Sequence, residues 1–136
     1  MCVTSHMKGA SITMKEVLRL LAALADPTRL RLIRLLLRQE LCVCELVDTL
    51  GMPQYKISRH LRILRAAGLV EARRNGRWMH YRVCRRGEPN ELLGGLFKVL
   101  ADHLEDSPEA KRDDDRLSRR LTLRRSGQCV VGNTGC

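Results

Sequence analysis

Aromatic side chains are nearly missing from this chain: one Trp, two Tyr and one Phe in 136 residues. A β-sandwich core would need more of them. With apolar residues at 44%, led by leucine, the composition points instead to one modest domain of packed helices. Long apolar runs are missing too, so no helical membrane span is expected. The opening "MCVTSHMKGAS" lacks the apolar stretch of a signal peptide. We therefore expect a cytoplasmic protein whose six cysteines stay mostly reduced. Marks of catalysis are absent as well. There is no Gly-rich phosphate loop and no His-Glu metal motif. No cysteine is followed by Arg six residues on, as a phosphatase-type loop requires. No enzyme is expected.

Acidic residues are scarce in one place. Residues 53–86 hold ten basic groups and only Glu71, while the flanking blocks nearly cancel, so this segment carries most of the net charge of +10. A solvated face usually mixes signs. A concentrated surplus suits a polyanion, most simply nucleic acid.

What is present fits that partner. Residues 14–24 have a helical apolar period. Asp26 and Pro27 suit the cap and first position of a second helix. Its arginines Arg29, Arg31, Arg34 and Arg38 read as a solvated stripe. Residues 44–50 form a short third helix ended by Gly51. Pro53 opens a fourth, with Ile57, Leu61 and Leu64 as its buried stripe and Gly68 after it. Two helices joined by a tight Gly-containing turn make a helix-turn-helix. Two β-prone runs then flank Asn75-Gly76, a strong hairpin signal. This hairpin is a wing. Residues 91–104 form a last amphipathic helix, in which Gly94-Gly95 would allow close helix approach.

The expected fold is mainly α (α+β): a winged helix-turn-helix of about five helices with a two-stranded β-hairpin. The expected organisation is a flexible N-terminus over 1–13, the DNA-binding domain over 14–106 and a flexible basic tail with cysteines over 107–136. A short helix within 109–125 is compatible with the tail's composition. The first and last helices carry broader apolar stripes than so small a core requires, so they are the expected faces of a homodimer.

The second helix of a helix-turn-helix enters the major groove. Here it offers Gln54, Tyr55, Lys56, Ser58, Arg59, His60 and Arg62. Gln suits adenine and Arg suits guanine, while Lys and Ser also bind phosphate. His60 borders the apolar stripe and reads equally well as a core cap. Arg73, Arg74 and Arg77 crowd the wing and would grip the DNA backbone or minor groove.

Cys42 and Cys44 stand one residue apart in "ELCVCEL", ahead of the helix-turn-helix. Two thiols so close are metal-binding or redox-active more readily than structural. Together with "KISRHLRILRAAGLVEARRNGRWMHYRV", this segment resembles the ArsR/SmtB family of winged-helix metalloregulators, in its arsenical-resistance branch. The resemblance covers roughly residues 14–104. It implies a homodimeric repressor on the operator DNA of a resistance operon, released when As(III) or Sb(III) binds cysteine thiolates. Cys42 and Cys44 are the positions carried over as ligands.

The family pattern adds a third cysteine where this chain has Val47. Trivalent arsenic takes three sulfurs at the corner of a pyramid. The third could come from Cys84, Cys2, Cys129 or Cys136, or from solvent or a small thiol. Cys129 and Cys136 could also form a separate site. Residues two apart in a regular helix point about 200° from one another. Cys42 and Cys44 therefore share an ion only where the segment is or becomes non-helical. A different effector on the same scaffold is the other reading: cadmium, lead or thiol oxidation. A disulfide across one intervening residue would be strained and readily reduced. His6, His80 and His103 raise zinc, but no histidine follows His103, so no zinc site is expected on the last helix.

Overall fold

The computed structural model describes residues 13–84, 91–105 and 107–132. The chain runs α1 (Met14–Leu24), α2 (Pro27–Leu36), β1 (Leu41–Cys42), α3 (Val43–Leu50), α4 (Gln54–Ala66), β2 (Val70–Asn75), β3 (Trp78–Val83), α5 (Glu91–His103) and α6 (Pro108–Leu121). The winged helix-turn-helix is as the sequence suggests, with two additions: a short strand β1 and a sixth helix.

Local chemistry explains most helix ends. Thr13 and Glu16 form a reciprocal capping box at the start of α1. The Asp26 carboxylate accepts from the Arg29 amide and Pro27 stands at the first position of α2. Gly51 closes α3 at φ +64°, a left-handed conformation that side-chain-bearing residues resist. Pro53 is the N-cap of α4 rather than its first helical residue. Its ψ of 148° is extended while its carbonyl already accepts from the Lys56 and Ile57 amides, so it stands just outside the helix.

Leu20, Ile33, Leu46, Ile57, Leu61, Leu64 and Leu69 form the middle of one core. β2 and β3 pair antiparallel from Val70↔Val83 to Asn75↔Trp78, which sets the wing. β3 also pairs with β1, through Leu41↔Tyr81 and Cys42↔His80. That register anchors the residues just before α3 to the wing. No described helix is long and apolar enough to cross a membrane.

Two expectations need correction. The arginine stripe of α2 is not uniformly solvated. Arg34 is only 4% exposed. Arg31 donates to both oxygens of Asp113 and Arg34 to both of Asp114, at 2.7–2.9 Å. Arg38 also reaches Asp114 and Glu105. The stretch after residue 107, expected to be a flexible tail, holds α6. Ser107 caps it, accepting from the Ala110 amide at 3.0 Å, and Pro108 follows at the first turn. Its inner face is Ala110, Asp113, Leu117 and Arg120. This face docks mainly through ion pairs, which hide in a composition that reads as disordered. Cys2, Cys136 and residues 1–12 lie outside the described residues.

Candidate functional site

A second, small cluster of buried residues lies apart from the main core: Cys42, Cys44 and Cys129, with Trp78 against them. The sulfurs of Cys42 and Cys44 are 2.8 Å apart and those of Cys44 and Cys129 3.1 Å apart. All three lie within 4.8 Å of one another. Cys42 has extended backbone (φ −86°, ψ 162°) as the N-cap of α3, and Cys44 is the second residue of that helix. The helical divergence of residues two apart does not apply across this junction. The two thiols converge with α3 intact. No unwinding of the helix is needed to bring them together.

The third sulfur comes from beyond α6. A tight turn, with Arg125 and Gln128 exchanging backbone hydrogen bonds at 2.9 and 3.0 Å, folds the chain back and delivers Cys129. Val47 is fully buried in the main core, among residues of the helical stripe. Cys84, at the end of β3, is buried in that core as well and is not part of the thiol cluster.

Charge surrounds the sulfurs in pairs. Glu45 is fully buried. Its carboxylate accepts the Cys42 amide at 2.9 Å and two nitrogens of Arg124 at 2.6 and 2.8 Å. Burial opposes the charge on Glu45, but Arg124 and the Cys42 amide outweigh it and hold the carboxyl below its ordinary range. Arg120 donates to Asp48 at 2.6 Å, to the Val131 carbonyl and, at 3.9 Å, to the sulfur of Cys129.

The three thiols differ in their acidity. The Cys42 thiol donates to Cys44 and, together with Cys129 and the Arg120 cation, lowers the Cys44 thiol to about 6 against the opposing effect of burial. Cys42 is raised because its proton is held in that bond, with burial adding to it. Burial raises Cys129. The cluster thus sets one acidified thiol between two whose pKa is raised, a donor set suited to a soft, thiophilic ion.

The groove-facing candidates sit on the outer side of α4. Gln54, Tyr55, Lys56, Arg59 and Arg62 are exposed and Ser58 is half-buried. His60 turns toward α2 instead, with Nδ1 3.2 Å from Arg29 and 3.9 Å from Asp26, and burial depresses its pKa. On the wing Arg73, Arg74 and Arg77 are exposed. Arg73 is paired with Glu40. Arg77 lies over the Trp78 ring, 4.9 Å from its centre.

Sequence reasoning missed Glu45, Asp48, Arg120 and Arg124 as parts of the site. Arg120 lies in the last turn of α6 and Arg124 beyond its end, and their acidic partners lie more than 70 residues away. No local spacing signals such pairs.

Residues 26–72 match the model of the bacterial regulatory protein arsR family. The chain is 41% identical over 93 residues to a transcriptional repressor SmtB homolog of Synechocystis, covering 68% of this chain and 67% of that protein. It is 41% identical over 105 residues to the arsenic resistance transcriptional regulator ArsR1 of Pseudomonas putida, covering 73% and 80%. Among solved structures it resembles the homodimeric winged helix-turn-helix DNA-binding domain Mb0332 of Mycobacterium bovis, at 33% identity and a TM-score of 0.55, over 70% of this chain and 87% of that one. With a winged helix-turn-helix, a basic outer face on α4 and these relatives, the chain belongs to the ArsR/SmtB family of DNA-binding transcriptional regulators.

Proposed function

We propose that this repressor leaves its operator when As(III) or Sb(III) is taken up by Cys42, Cys44 and Cys129. One observation carries the reading: three buried sulfurs, one of them on a thiol of lowered pKa, within reach of a single ion. Three thiolates match an ion that forms three bonds in a pyramid, and among the described residues no imidazole belongs to the cluster. Cys42 and Cys44 hold the start of α3, which leads into the turn before α4. Cys129 ties the segment beyond α6 to the same point. Drawing the three sulfurs round an ion biases how α3 sits, and with it α4. The inducer then acts through a difference in affinity between two arrangements of these elements.

On this reading Gln54, Tyr55, Lys56, Ser58, Arg59 and Arg62 face the major groove and Arg74 and Arg77 the flanking backbone. His60 and Arg73 play supporting parts, because each is engaged within the protein. The repressor works as a homodimer that covers the exposed Met14, Leu18 and Leu21 of α1 and Val99 of α5. That leaves each α4 to read one half-site.

The alternative effector is another soft ion, such as cadmium or lead, or oxidation of the touching thiols. The similarity to an SmtB homolog favours keeping it in the test. The experiment adds arsenite, antimonite, cadmium, zinc or peroxide separately to the full chain bound to a labelled promoter fragment. Release by arsenite and antimonite, lost in C42S, C44S and C129S, is the expected result. Arsenite release that persists in the three variants, or release by cadmium or peroxide alone, overturns it.

A further inference from the structure

α6 runs antiparallel along α3. Cys129 lies 3.1 Å from Cys44, Arg124 pairs with Glu45 and Arg120 with Asp48. The Nη1 of Arg116 lies 3.4 Å from where a Cβ on Gly51 would sit. Each step back along the C-terminal segment is a step forward along α3. The rod that begins at the thiols ends at the turn of the helix-turn-helix.

At that end α6 presents a stripe. Arg112, Arg116 and Arg119 stand at i, i+4 and i+7, on one helical face. All three are exposed, and none of their guanidinium groups has a partner among the described residues. The acids on α6 are divided between two faces. Asp113 and Asp114 turn inward to Arg31 and Arg34, while the arginines remain outside. Asp115 and Glu109 are the exposed acids of the same helix. With two acids turned inward, the exposed side of α6 keeps Lys111 and three arginines against Glu109 and Asp115, a basic excess, and Arg116 stands beside the turn that precedes α4.

We propose that Arg112, Arg116 and Arg119 form an additional DNA-backbone contact, gripping phosphates that flank the half-site read by α4. Arg116 stands at Gly51, where α3 gives way to the turn before α4, and a guanidinium fork suits phosphate oxygens. Such contacts fix position and add affinity without reading sequence. The inference rests on the winged helix binding duplex DNA and is independent of which ion, if any, the thiols hold.

The test uses the full chain without inducer and a labelled random-sequence duplex, with affinity followed by fluorescence anisotropy across a salt series. Each phosphate contact contributes about 0.9 to the slope of log affinity against log salt. R112Q/R116Q/R119Q is expected to lower the slope by about 2–3 units per protomer. Lysine at the same three positions is expected to keep the slope near that of the unaltered chain. An unchanged slope in the glutamine variant overturns the proposal. So does an equal loss in the lysine variant, which would mean that the substitutions act on the helix rather than through charge.

Discussion

Arg124 and Glu45 meet through two hydrogen bonds, 2.6 and 2.8 Å long, behind the thiol cluster, and the same carboxylate accepts the Cys42 amide. One buried pair therefore secures both the start of α3 and the segment that delivers Cys129. Removing one partner strands a buried charge. R124M should cost about 3–5 kcal/mol of stability. Denaturant unfolding of the full chain measures it, and a loss under about 1 kcal/mol would mean that the pair is a surface bridge in effect.

The third sulfur is specific to its position. C129S should abolish arsenite-induced release and leave DNA binding without inducer intact. C129S/V47C should not recover release, because Val47 packs in the main core rather than against the thiols. Recovery in the double variant would show that residue 47 can reach the pair.

Acid should undo the docking of α6. Hydrogen bonds from Arg34 hold the Asp114 carboxyl below its ordinary range. Its folded pKa is lower than its unfolded one, so its contribution is full above the ordinary aspartate range. It is lost as pH falls through the lowered folded value. D114N should be less stable than the unaltered chain by about 1–2 kcal/mol at neutral pH, with the two curves converging in acid. Parallel curves across the pH range would assign the loss to packing rather than to charge.

The dimer face is testable through α1. Leu18 is 60% and Leu21 48% exposed in the single chain. L18E/L21E should sediment as a monomer, with far weaker binding to a two-half-site fragment. A variant that remains dimeric would move the interface elsewhere.

Much of this fold is legible in sequence because its signals are local. The α1 and α4 stripes repeat at helical spacing, Asp26-Pro27 marks a start and Asn75-Gly76 marks the wing. β1 is not legible. Two residues have no period, and Leu41 and Cys42 become a strand only because β3 offers an edge to them. α6 is half legible. Ser107-Pro108 is a helix start, but Leu117 is the only large apolar residue fully turned inward, and the docking rests on Asp113, Asp114 and Arg120 finding distant partners. The site divides the same way. Cys42 and Cys44 stand out by spacing, whereas Cys129 is one of four further cysteines until the turn at Arg125–Gln128 aims it. His60, balanced between core and groove on sequence, is decided by Arg29 and Asp26 on a neighbouring helix.

The sequence separation of 85 between Cys44 and Cys129 also imposes an order in time. Ribosomes release the recognition helix and the wing before they release the last sulfur. A protomer acquires the surface that holds DNA first, and the sensor closes only once the C-terminal segment has folded back across α3. A nonsense or frameshift change between the wing and Cys129 would then yield a chain that keeps α4 and lacks the third sulfur.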